Sequence, residues 1–234
     1  QTLVWLVISN GIIAFILWGI PLIDSSANVT LDGSGVRELT RVFLQLETLF
    51  TSLGVMVLCQ GLIVNEKKFG TASWVLSNPV SRSSFIFSKL VGHGWAIFTI
   101  LIVVQSLVVY LQLALKAGAY FNPVPFITAT GVLCLLLLFY LVLALMLGTL
   151  FNSTGPVIGI SIAVGIGMSI LPQFLGTLVP WLIAILPGRL GDVALAIGAE
   201  LPLPADWYFP LVSTGILIVI FIAVAIVRLG REEF

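Results

Sequence analysis

Charge is what this chain has least of. Of its 234 residues only 9% are Asp, Glu, Lys or Arg, against 59% hydrophobic, and the mean hydropathy is +1.19. A water-soluble fold needs more polar surface than that to cover itself. Histidine occurs once, at His93, and cysteine twice, at Cys59 and Cys134. With neither metal spacing nor a pairing pattern around them, they give no basis for a metal centre or a disulfide scaffold. The cysteines read as small buried hydrophobes, and His93, in VGHGW, as a packing or interface residue. No G-x-x-x-x-G-K-[ST] and no H-E-x-x-H occurs, so neither a nucleotide-hydrolysing engine nor an enzyme active site is expected in this chain. Ten basic residues balance ten acidic ones. That balance gives no reason to expect a nucleic-acid partner.

Long apolar runs take the place of all this. About 20 apolar residues cross a ~30 Å hydrocarbon core as a helix, and continuous runs exclude the alternating pattern of a barrel. The expected fold is an all-α polytopic membrane protein, one transmembrane domain over residues 1–234, with six spans at about 3–22, 43–64, 86–113, 126–151, 156–171 and 209–228. Six spans place both termini on one side. Lys67, Lys68, Arg82, Lys89, Arg228 and Arg231 share that side, six basic residues against the four opposite, Arg37, Arg41, Lys116 and Arg189. The excess predicts cytoplasmic termini.

Before span two, Ser34 can cap a helix starting near Gly35, with Glu38 and Arg41 paired at i,i+3. Running on to Val64, about 30 residues at 1.5 Å each, that helix would be ~45 Å long and protrude on the outer side. Glu47, near the outer boundary, is expected to be interfacial, paired or snorkelling outward. Gln60, Gln105 and Gln112 suit hydrogen bonds between helices. In span five small residues recur every fourth position, at Gly155, Gly159, Ala163 and Gly167. This smooth stripe admits close approach of another helix, either within one subunit or as a dimer seam or gate. Residues 171–210 contain TLVPWLIAIL, too short to cross, and predict an outer re-entrant hairpin with Trp181, Trp207 and Tyr208 at the interface.

The densest polar stretch is NEKKFGTASWVLSNPVSRSSFIFSK, residues 65–89. Charge ends span two, Gly70 supplies a turn, TASWVLSN allows about two helical turns with Thr71 as a cap, and Pro79 stops them. Ser81 or Ser83 can cap the next helix, and Lys89 can anchor it near the headgroups. Trp74, Val75 and Leu76 offer an apolar body for a partner's groove, with Glu66 and Arg82 as charged contacts at its rim. A solvated loop that only fixes topology is the plainer reading.

The pattern E-x-x-x-G-T, then P-x-S-R, then a lysine seven residues on, here Glu66, Gly70, Thr71, Pro79, Ser81, Arg82 and Lys89, resembles the permease subunits of type-2 ABC (ATP-binding cassette) exporters. LALMLGTLFNSTGP, residues 143–156, is similar to the end of that family's fourth span and its cytoplasmic turn. The resemblance covers nearly the whole chain. It implies a permease in a prokaryotic cytoplasmic membrane, paired with a second copy or a paralogue. Each half would sit on a separate ATP-hydrolysing subunit that holds the ATP and Mg, none being bound by this chain. Glu66, Gly70, Thr71, Trp74, Pro79, Ser81 and Arg82 would form or frame the coupling helix that docks there. An amphiphilic or lipid-like substrate, exported through the dimer interface, fits spans with almost no charge. Two other classes stay open: a non-transporting component coupling a cytoplasmic ATPase to an outer partner, and a secondary transporter.

Overall fold

The computed structural model describes residues 2–19, 33–77, 81–118, 120–175 and 178–231. Among these, every regular element is a helix. Helix α1 (Thr2–Ala14) runs on through a π-helical stretch, Phe15–Gly19. Then follow α2 (Gly33–Cys59), α3 (Val64–Lys68), α4 (Thr71–Leu76) and α5 (Arg82–Ala117), the last carrying a π-helical stretch at Thr99–Val104. They are succeeded by α6 (Pro123–Leu150), α7 (Thr154–Leu175), α8 (Pro180–Ala184), α9 (Arg189–Gly198) and α10 (Tyr208–Gly230).

Among the described residues five helices are long and apolar enough to cross a membrane: Gly35–Lys68, which joins α2 to α3, and α5, α6, α7 and α10. They overlap the second, third, fourth, fifth and sixth expected spans. The first expected span is helical over residues 2–19, shorter than the other five. Two boundaries differ from expectation for physical reasons. The turn at Gln60–Ile63 interrupts the second span, with Leu62 N–H donating to the Cys59 carbonyl (3.1 Å) before helix resumes. The fifth span does not end at Pro172, which sits inside α7. One proline removes a single helical donor, a loss apolar helices tolerate when the freed carbonyl is satisfied locally.

Helix α6 is the centre of the bundle. It is apolar on every side, and over residues 139–145 it is buried on every side, as Phe139, Leu141, Val142, Ala144 and Leu145 all are. Around it pack α2, α5, α7, α9 and α10. Beside the short apolar piece expected to form the hairpin, the amphipathic α9 docks closely: Leu190, Val193 and Ala194 are buried. Glycine permits the approach, since a methyl group on Gly191 would lie 2.9 Å from Thr48 Cγ2, and one on Gly198 would run into Leu44 and Ala129.

Cross-contacts identify which helix ends lie together. At one end Lys67 reaches Thr149 at the close of α6, and Arg82 reaches Leu229 at the close of α10. At the other, Lys116 Nζ stands 4.8 Å over the Trp18 ring, Arg37 Nε lies 3.5 Å from Glu200 Oε2, and the Ser213 hydroxyl donates to the Ile185 carbonyl (2.7 Å). Glu38 and Arg41 pair at 3.9 Å, as their spacing predicts.

Candidate functional site

The polar segment 65–89 lies at the Lys67/Arg82 end of the bundle. Helix α3 ends at Lys68, and Gly70 turns the chain with φ +71°, a left-handed conformation that a side chain disfavours. Helix α4 starts at once, the Trp74 N–H donating to the Gly70 carbonyl at 3.0 Å. It spans six residues, Thr71–Leu76. Pro79, expected to stop it, lies outside the described residues. Ser81 caps α5 as expected: its hydroxyl accepts from the Ser84 N–H at 3.1 Å with the backbone extended (φ −69°, ψ 145°).

Three charged residues bind this segment to the spans around it. Glu66 accepts from Lys89 of α5 on one carboxylate oxygen and from the Thr71 hydroxyl on the other. Thr71 therefore clasps the preceding turn, where its sequence position suggested a cap for α4. The Lys67 ammonium donates to the Thr149 carbonyl (2.9 Å), satisfying one of the orphan carbonyls that end every helix. Arg82 donates in the same way to the Leu229 carbonyl. Glu66 and Arg82, expected at a partner's rim, are thus both engaged within the chain and only part-buried.

Two aromatic side chains point away from this framework. Phe69 is 80% exposed and Trp74 73% exposed. Gln60, Asn65, Glu66, Lys89, His93 and Thr154 line a polar cleft of about 440 Å³. Sequence reasoning passed over Lys67 as a topology charge and missed Phe69. The available signals were the helix end at Thr149, which attracts a cation, and the placement of Phe69 beside a glycine turn.

The profile of a family described as a protein of unknown function, DUF2705, matches residues 3–234. This chain belongs to that family. No curated protein matches the sequence of this DUF2705 member.

Elsewhere the stripe of α7 turns outward. Gly155, Gly159 and Ala163 are exposed, Gly167 is half-buried, and a methyl group on any of the three glycines would meet no atom within 4 Å. Inward contact on α7 is made by Gly165, whose added methyl would lie 2.8 Å from Met56 Cε and 3.4 Å from the Tyr140 hydroxyl. Glu47 departs from its expected interfacial position. It is 0% exposed, and its carboxylate accepts from the Thr51 hydroxyl (3.1 Å) and from the Gln105 amide of α5. It ties α2 to α5 from inside the bundle, and Gln105 fills the role expected of it. Among the described residues no group of His, Cys, Asp and Glu could hold a metal ion.

Proposed function

We propose that this DUF2705 member is the membrane permease subunit of an ATP-driven ABC exporter, and that residues 64–82 are its coupling element. What supports the reading best is the wiring of that element. A six-residue helix with an exposed tryptophan follows a glycine turn, and its flanks are bonded to α5, α6 and α10. A push on Trp74 and Phe69 is passed through Glu66–Lys89, Lys67–Thr149 and Arg82–Leu229 into three spans at once. A loop that only fixed topology would need charge but no such ties.

In this reading the helix over residues 2–19 is the first of six spans, both termini are cytoplasmic, and α8 and α9 form the outer re-entrant hairpin. A separate cytoplasmic ATPase holds ATP and Mg beneath α4. Its closure on ATP drives α4, and the spans shift between inward- and outward-facing packing because the nucleotide binds one state better than the other. The outward stripe Gly155, Gly159, Ala163 and Gly167 is the seam with a second copy, along which an amphiphilic or lipid-like substrate is exported.

Purification of the tagged chain in mild detergent, beside a Phe69→Asp, Trp74→Asp variant, tests this. Both substitutions are at exposed positions, so the expected result is an ATP-hydrolysing subunit recovered with the parent and lost with a variant that is still folded. An ATPase absent from both preparations, or equally abundant in both, overturns the docking assignment.

A further inference from the structure

Where α2 gives way to α3 the helix breaks at Gln60–Ile63, and this turn forms one wall of the polar cleft of about 440 Å³. Irregular backbone at membrane depth is tolerated where it lines a polar cavity. Gln60 lines the cleft from the turn, Asn65 and Glu66 from α3, Lys89 and His93 from α5, and Thr154 from the start of α7. A second cavity, of about 540 Å³, shares Leu58, Lys89 and His93 as walls and continues along α5 past Gly92, Ala96, Ile97 and Ile100. Together they make one groove, polar at the Lys89 end and apolar at the Ile100 end.

The polar end is rich in donors. Among the described residues the side chains of Gln60, Asn65 and His93 make no hydrogen bond, and Asn65 and His93 are exposed. The Lys89 ammonium carries three N–H groups and gives one to Glu66. Glu66 already accepts on both oxygens, from Lys89 and from Thr71, so its charge is answered within the chain. What remains on offer is an ammonium, two amides, an imidazole and the Thr154 hydroxyl. An occupant rich in acceptors satisfies such a set, and a phosphodiester, whose free oxygens share a negative charge, does so with charge-assisted bonds.

We infer that this groove binds one phospholipid of the leaflet at the Lys67/Arg82 end. Its phosphodiester accepts from Lys89, His93 and the amides of Gln60 and Asn65, and one acyl chain lies against Leu58, Ala96 and Ile100. Depth fits this occupant. Helix α5 has no Asp, Glu, Lys or Arg between Lys89 and Lys116, so Lys89 marks its polar edge, at the level of lipid headgroups. From Lys89 to Ile100 is a rise of eleven residues, about 16 Å along the axis. That is about half of a ~30 Å core, the reach of an acyl chain of one leaflet. The inference stands on the groove and does not rest on the exporter reading, so a failure to recover an ATPase leaves it standing.

The test is native mass spectrometry of the full chain in mild detergent, titrated with phosphatidylglycerol, with a diacylglycerol of the same chains that lacks the phosphate, and with glycerol phosphate, which lacks the chains. Phosphatidylglycerol should form one saturable adduct and bind roughly 10-fold tighter than the diacylglycerol, the worth of a charge-assisted hydrogen bond. Changing Asn65→Ala and His93→Ala together should weaken phosphatidylglycerol by roughly 10-fold, the worth of two neutral hydrogen bonds, and leave the diacylglycerol unchanged. Ala96→Trp, at an exposed position on the apolar stretch, should weaken both lipids. Equal binding of the two lipids overturns phosphate recognition. Displacement of the lipid by an equal concentration of glycerol phosphate means a site for free anions and overturns the lipid assignment. Adducts that accumulate without saturation and are unchanged in both variants mean annular lipid only and overturn the site. Should Ala96→Trp fail to fold, the two-lipid comparison in the variant changed at the exposed Asn65 and His93 decides alone.

Discussion

Glu47 shows how much one residue's surroundings matter in an apolar chain. Its buried carboxylate has two donors from two helices, Thr51 and Gln105. Glu47→Gln keeps the shape and a hydrogen-bonding head, so its thermal unfolding in detergent should stay close to that of the parent. Glu47→Ala strands both partners in the core at about 1–3 kcal/mol each, and its midpoint should fall clearly. Equal midpoints for the two variants would refute the internal tie. Hydropathy placed Glu47 near a boundary because it records position along a helix and carries no information on which side faces inward. The same limit hid Gly165, which fits against Met56 and Tyr140, behind the more regular series at 155–167.

At the scale of the element, the polar segment 65–89 was largely legible because its signals are local. A positive φ favours glycine, and Gly70 has one; an extended residue before a helix favours a short hydroxyl, and Ser81 supplies it. The ties from Lys67 to Thr149 and from Arg82 to Leu229 were not legible, since their partners are backbone carbonyls 82 and 147 residues away. Two expectations follow. Gly70→Ala should cost roughly 1–2 kcal/mol by forcing a side chain into the left-handed region, read as a lowered unfolding midpoint. Ser81→Ala should cost about 1 kcal/mol through the lost cap and raise amide exchange in the first turn of α5 without affecting α6. Protection lost across the whole bundle would show the cap to be wired more widely than its hydrogen bonds indicate.

For the molecule as a whole, the apolar runs foretold six spans, and among the described residues five of them coincide with helices long and apolar enough to cross a membrane. The sequence could not foretell that α6 would be central or that the small-residue stripe would face away from it, because both are matters of which faces meet. The stripe carries the whole-molecule prediction. A methyl group on Gly159 meets no atom within 4 Å, so in Gly159→Ala the monomer's unfolding midpoint should hold while the dimer fraction in mild detergent falls. An unchanged dimer fraction removes the stripe from the seam. The central claim is that α4 meets a cytoplasmic ATPase, and the most direct measurement is site-specific photocrosslinking in living cells from a photoreactive residue placed at Trp74. The account predicts one dominant protein adduct, whose sequence carries the phosphate-binding loop of a nucleotide hydrolase and which is lost when Phe69 is changed to Asp. Adducts with lipid alone, or with no protein that binds nucleotide, would contradict it.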